Sequence, residues 1–147
     1  MSHSYSNNHV HVVYSTKDRK NLIPTGLEKQ LYSFIASIAR EHKIPLLAAG
    51  GMPNHIHLLF LLPATLSLAS AINLFKTNSS RLLHEHGLVF QWQNGYGAFS
   101  VSVSQLDKVT DYIRNQPDHH KKMTFEQEFL ALLKKAGIPY DPKYLLG

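Results

Sequence analysis

The chain contains no cysteine. That excludes a disulfide framework and any thiolate metal site, and it fits a cytoplasmic protein. It also lacks an apolar run approaching the ~18 residues that a membrane span needs, so no membrane partner is expected. The first eight residues, Met1 to Asn8, are polar and have no apolar centre of the kind a signal peptide carries. Acidic residues are few. Ten Asp and Glu against fifteen Lys and Arg leave a net charge of +5 and a pI near 9.5. A basic excess of this size permits a nucleic-acid partner without requiring one. What remains is 147 residues, 44% hydrophobic, with a mean hydropathy of -0.19. This is enough for one soluble domain with a real core. Ten histidines are many for such a chain, and their spacing is more informative than their number.

The stretch from Met52 to Leu62 concentrates the chemistry. Gly50-Gly51-Met52-Pro53-Asn54 reads as a tight turn, followed by strand-compatible apolar residues up to Pro63. Alternate residues of a strand share a face, so His55 and His57 project together with Ile56 opposite. Two imidazoles on one face can grip a metal ion, and they can equally be polar residues on an exposed strand face. His9 and His11 form a second His-x-His pair in a strand over residues 9–15. His84 and His86 lie on a helix, where that spacing separates them by about 200°, so they do not share an ion.

The remaining elements follow from periodicity. Thr25 and Glu28 have the spacing of a capping box ahead of a helix with Leu27, Leu31, Phe34, Ile35 and Ile38 on its apolar face. Ile44 to Ala49 reads as a strand paired in a hairpin with the next. Thr65 to Ser67 open a helix whose buried stripe is Leu68, Ala71, Ile72, Phe75, Ser79, Leu82 and Leu83, ended by Gly87. Residues 89–97 read as an aromatic loop and 98–103 as a strand. Ser104 and Asp107 have capping-box spacing before a short helix that runs toward Pro117. Residues 117–122 read as a basic linker. Thr124 and Gln127 cap a last helix bearing Phe125, Phe129, Leu132, Leu133 and Ala136. Tyr140 and Tyr144 anchor the tail. The order is βαββαβ followed by two helices, an α+β, ferredoxin-like antiparallel sheet with helices on one face. In that topology strand 9–15 lies beside the strand of His55. One domain is expected over residues 1–147, with its core at 9–104, a tyrosine helix at about 105–116 and a C-terminal helix and tail at 124–147.

In the short helix before Pro117, Tyr112 and Gln116 stand four apart and are neighbours on one face. A core tyrosine and a solvated glutamine would occupy the same places. Together with His55 and His57, however, the Gln116 carboxamide makes a neutral three-ligand set that leaves room for phosphate oxygens, as magnesium or manganese chemistry on phosphodiesters requires. Tyr112 beside such a site is a candidate nucleophile. Pro117 disfavours α geometry at Gln116. His119 and His120 are therefore rival ligands, although with Lys121 and Lys122 they also read as a basic surface patch, the simpler reading.

Taken together, Val10-His11-Val12-Val13-Tyr14-Ser15-Thr16-Lys17 with Arg19, Met52-Pro53-Asn54-His55-Ile56-His57, Trp92 to Ser102, Tyr112-Ile113-Arg114-Asn115-Gln116, His119-His120 and Phe125-Glu126 resemble the single-tyrosine HUH transposases (Y1, IS200-like). More narrowly, they resemble the REP-associated tyrosine transposase-like group. The motifs stand in the family's order along nearly the whole chain. The resemblance implies that His55, His57 and Gln116 hold the metal, that the pair His9/His11 lies outside it, and that Tyr112 attacks a DNA phosphate. The product would be a 5′-phosphotyrosine link and a free 3′-hydroxyl. It further implies cleavage and rejoining of single-stranded DNA beside hairpins, a homodimer, a magnesium or manganese ion and no organic cofactor. Lys17, Arg19, Lys76 and Arg81 are candidates for DNA backbone contacts, and Trp92 and Tyr96 for base stacking or the core. Two alternatives remain open: a domesticated, non-catalytic binder of single-stranded or structured nucleic acid on the same sheet, and a metal-dependent hydrolase acting through activated water.

Overall fold

A computed structural model describes residues 3–143. The elements are β1 (His9–Ser15), α1 (Glu28–Glu41), β2 (Leu46–Met52), β3 (His55–Leu61), α2 (Leu68–Glu85), β4 (Gly97–Val101), α3 (Leu106–Arg114), α4 (Gln116–His119) and α5 (Phe125–Lys135). The strands form one sheet in the order β2-β3-β1-β4, with every neighbouring pair antiparallel. β1 and β3 are thus the central pair, as the ferredoxin-like pattern requires, and the fold is α+β.

Strand alternation sends two sets of side chains to two layers. Val12, Tyr14, Ile56, Leu58 and Phe60 pack against α1 and α2, with Leu31, Ile35, Ile72 and Phe75 among their partners. On the opposite face Leu59 and Ala48 pack against Ile113 of α3. The C-terminal helices therefore cover the second face of the sheet, and that is the face carrying His11, His55 and His57.

Several local expectations are corrected. Gly50 and Gly51 are not the tight turn. They lie inside β2, and only Pro53 and Asn54 turn the chain. A Cβ on Gly50 would fall 2.3 Å from the Ile113 carbonyl oxygen, so this glycine is needed for close approach of α3 to the sheet. The Thr25 box does not form, because Gly26 at φ 100° breaks the helical path. The helix starts at Glu28, whose carboxylate accepts the Gly26 N–H instead. The Ser104 box is also absent. Residues Val103–Gln105 form a 3-10 turn, and the Ser104 hydroxyl pairs with that of Ser102. The Thr124 box does form, with both of its hydrogen bonds made. β4 ends at Val101, which leaves Val103 exposed.

The break between α3 and α4 matters most. Asn115 leaves helical geometry at φ -99° and ψ 22°, and Gln116 opens a new turn. Pro117 sits at the start of that turn, where its missing N–H is harmless. The expected linker at 117–122 is thus partly helical, and its histidines are turned inward. Tyr144 lies outside the described residues.

Candidate metal centre and tyrosine

His55 and His57 are fully buried, each at 0% exposure, which rules out the exposed-face reading. The pair is closed over by α3, α4 and α5. The His55 ring lies flat against Phe125 at 4.2 Å between centroids, and its Nδ1 is 2.8 Å from Asn54 Oδ1. The Nδ1 of His57 is 2.8 Å from Nε2 of His11. The Nε2 atoms of both rings point into the same space.

Three further side chains meet them there. Gln116 is fully buried. Its Nε2 donates to Glu128 Oε2 at 2.9 Å, which turns its Oε1 inward, 3.0 Å from His55 Nε2. His120 has Nδ1 2.8 Å from the Met123 carbonyl and Nε2 2.9 Å from Gln116 Oε1. Glu128 is 1% exposed. Its Oε1 lies 3.0 Å from His57 Nε2, 3.2 Å from His120 Nε2 and 3.4 Å from His55 Nε2. Ligand atoms of His55, His57, His120 and Glu128 all fall within 4.8 Å of one another.

The chemistry of this cluster asks for a cation. A carbonyl oxygen only accepts, so the Met123 carbonyl fixes the His120 proton on Nδ1 and leaves its Nε2 lone pair facing inward. Asn54 Oδ1 does the same for His55. Lone pairs of two imidazoles, an amide oxygen and a carboxylate oxygen then face one another at 2.9–3.4 Å. Such a set is repulsive unless positive charge stands between its members. Neighbouring ligands of an octahedral ion bonded at roughly 2.1 Å are separated by about 3.0 Å, and the observed spacing is of that size. The side chains fit a divalent metal.

The electrostatics agree. Burial works to raise the Glu128 pKa, but the close approach of the His55 and His57 rings and the hydrogen bond from the Tyr112 hydroxyl outweigh it and hold the carboxyl far below its usual range. Burial pushes His57 down to about 4, against the pull of Glu128. Burial, with His57 beside it, pushes His11 down to about 3. Both rings are therefore neutral near neutral pH, as ligands and their partners must be.

Tyr112 reaches the cluster from α3. Its hydroxyl donates to Glu128 Oε2, and its ring stands edge-on to His57 at 5.7 Å. Burial first, and then the hydrogen bond to Glu128, hold the phenol above its usual pKa. A groove of about 800 Å³ has Tyr112 in its wall, together with Phe99, Lys108, His119 and Lys135.

His119 and His120 are not the basic surface patch expected. The His120 side chain is 6% exposed, and His119 Nε2 lies 3.3 Å from Glu128 Oε2. Lys121 and Lys122 do stay outside. Glu128 was missed, although the sequence carries its signal: an acidic residue three positions after Phe125, on the apolar stripe of α5. The residues considered for DNA contacts scatter. Lys76 Nζ donates to the carbonyls of Gln93 and Gly95 at 3.0 and 2.8 Å, pinning that loop. Trp92 is 6% exposed, with its indole N–H on the Ser79 hydroxyl. Arg81 is exposed on α2, in the layer across the sheet from the histidines. Arg19 pairs with Glu126 at 3.3 Å, and Lys17 stands in the same 3-10 turn (Lys17–Arg19). Tyr96 is 42% exposed.

Among known proteins, a family model described as transposase IS200 like matches residues 4–116. The transposases for insertion sequence element IS200 of Salmonella typhimurium LT2 and of Salmonella typhi are each 26% identical over 129 residues, covering 82% of this chain and 84% of theirs. A crystal structure of a candidate transposase from Deinococcus radiodurans R1 superposes with a TM-score of 0.61 at 21% identity, over 79% of this chain and 96% of that one. A REP-associated tyrosine transposase bound to a REP hairpin superposes with a TM-score of 0.62 at 20% identity, over 82% of this chain and 74% of that one. The two structures establish a shared fold. Among the described residues no helix is long and apolar enough to cross a membrane.

Proposed function

The chain belongs to the IS200-like transposase family, a family of DNA-cleaving enzymes, and from that premise we propose that it cleaves and rejoins single-stranded DNA beside hairpins, with Tyr112 as nucleophile. The observation that carries this reading is the position of the Tyr112 hydroxyl on one oxygen of Glu128, while the other oxygen faces His55, His57 and His120. Support for a hairpin substrate comes from the REP-associated neighbour, which was solved on a REP hairpin.

In this reading the ligands are His55, His57 and Gln116, joined by His120 and Glu128. Magnesium prefers oxygen donors and keeps its waters, so with three imidazoles manganese is the better fit of the two. A divalent cation held there supplies positive charge beside the scissile phosphate and offsets the cost of ionising a buried phenol. The groove leading to Tyr112 admits the strand. The Tyr112 oxygen attacks phosphorus, its proton passing to water. The P–O3′ bond breaks, and its electron pair leaves with O3′, which takes a proton from water. The protein keeps the 5′-phosphate as a phosphotyrosine, and rejoining is the reverse attack by a 3′-hydroxyl. Gln116 orients Glu128 through its amide N–H and so holds the carboxylate under the phenol. Tyr112 and the proposed ligands meet within a single chain. Residues 1–147 act as one unit in this scheme, with sheet, tyrosine helix and α5 each supplying part of the site.

The test is incubation with manganese and hairpin-flanked single-stranded DNA, followed by denaturing electrophoresis. A protein–DNA adduct that survives denaturation and disappears in Tyr112→Phe, with DNA binding retained, is the expected result. Cleavage without an adduct would identify a water-activated hydrolase instead. Binding with neither cleavage nor adduct would identify a domesticated binder.

A further inference from the structure

We propose that His11, outside the ligand set and on the neighbouring strand, is a positioning residue that fixes the ring of His57 as a metal ligand; the inference rests on the metal reading above. The register pairs His11 with Leu59 and Val13 with His57. His11 and His57 are therefore diagonal neighbours on one face of the central strand pair. Their rings stack at 5.1 Å with an interplanar angle of 24°, and His11 Nε2 lies 2.8 Å from His57 Nδ1. Rings of Phe99 and Tyr112 hold His11 in place at 5.9 and 6.1 Å, and only 4% of it is exposed.

The physical need is specific. His57 is neutral and carries one ring proton. A proton on Nε2 faces Glu128 at 3.0 Å and closes that nitrogen to a metal. A proton on Nδ1 faces His11 and leaves the Nε2 lone pair free. The Glu128 carboxylate favours the first form, whereas a metal on Nε2 excludes it and leaves the proton on Nδ1, where the buried imidazole of His11 offers its Nε2 lone pair. His55 and His120 show the same plan, with Asn54 Oδ1 and the Met123 carbonyl as their outer acceptors. Each of the three inward-facing imidazoles thus has an outer partner at 2.8 Å. Outer partners of metal-bound histidines orient the ring and set its tautomer, and their loss typically weakens metal binding about 10–100-fold. His9, the other half of the His-x-His pair, is half-buried and bonded to the Asn7 carbonyl, and has no part in this.

The experiment is calorimetric titration of the metal-free full chain with Mn²⁺, for wild type, His11→Leu, His11→Gln and His11→Asn. Leucine fills space without a polar atom, and asparagine is polar but too short to reach His57. Glutamine places an amide where the imidazole Nε2 was. The expected result is affinity lowered about 10–100-fold in Leu and Asn and restored to within a few-fold of wild type in Gln. Adduct formation by the Leu variant should recover at high manganese, since the ligands themselves are intact. Ring ¹⁵N spectra of the Zn²⁺-loaded wild type should show His57 protonated on Nδ1. The proposal is overturned if a folded Leu or Asn variant binds Mn²⁺ as tightly as wild type, or if Gln is as weak as both. If His11→Leu does not fold, the Asn and Gln pair decides. A wild type that takes up no Mn²⁺ or Zn²⁺ overturns the metal reading and this inference with it, whereas a wild type that binds but shows no difference among variants overturns this inference alone.

Discussion

Gly50 lies so close to Ile113 that a Cβ built on it would stand 2.3 Å from the Ile113 carbonyl oxygen. Gly50 is also the cross-strand partner of His57, and Ile113 follows Tyr112. One missing methyl group therefore sets the distance between the histidine strand and the tyrosine helix. Because the obstacle is backbone, Gly50→Ala can be accommodated only by moving α3. The expected loss of stability is about 1–3 kcal/mol, measured by denaturant unfolding. Adduct formation should fall further than stability explains, with Mn²⁺ affinity reduced as Gln116 is displaced along with the helix.

Glu128 joins Tyr112 to the imidazole cluster, so Glu128→Gln should separate charge from packing. The amide fills the same volume but brings no negative charge to four ring nitrogens and the phenol. Mn²⁺ affinity should drop at least about 10-fold, and adduct formation should drop with it. His120→Ala should weaken Mn²⁺ binding similarly, while Lys121→Ala should leave it unchanged. Lys121 is exposed, and its pairing with Asp118 is the kind of surface contact worth little. Equal effects at residues 120 and 121, read by titration, would contradict the assignment.

Acid should destabilise the metal-free protein from an unusually high pH. His57 and His11 have folded-state values of about 4 and 3, against an ordinary 6.5. Below about pH 6.5 the unfolded chain takes up protons that the folded chain refuses, so stability falls as pH falls, down to the folded values. Glu128 is depressed and acts in the same direction once the pH drops below the ordinary carboxylate range. Thermal unfolding between pH 8 and 4 should show a midpoint declining from near pH 6.5. His11→Gln should flatten part of that decline.

Trp92 and Lys76 should behave as structural residues. The Trp92 indole N–H ends on a buried hydroxyl, and Lys76 closes a loop through two backbone carbonyls while lying 5.1 Å above the Tyr14 ring. Trp92→Phe and Lys76→Met should each lower the unfolding midpoint, with affinity for hairpin DNA changed less than about threefold by fluorescence anisotropy. Tyr96→Ala should do the reverse if that exposed ring stacks on a base, where alanine substitution typically costs about 1–3 kcal/mol.

The sheet and its helices were legible in the chain because each rests on a local period. Alternation placed His55 and His57 on one face before any partner was known, and 3.6-residue spacing named the buried stripe of α2 nearly residue by residue. Four-residue spacing drew attention to Tyr112 and Gln116, and the motifs shared with a family implied their roles. Local pattern misjudged the places where a neighbour decides. Gly50 and Gly51 resemble a turn until Ile113 is set against the first of them. His120 resembles a surface residue until the break at Asn115 rotates it inward. Glu128 looks like a flaw in an apolar stripe until that stripe meets four ring nitrogens. The backbone's own geometry fixes which residues share a face. Which faces meet depends on contacts between elements distant in sequence, such as the one spanning the 71 residues between His57 and Glu128, and only the folded chain brings those charges and lone pairs within bonding distance.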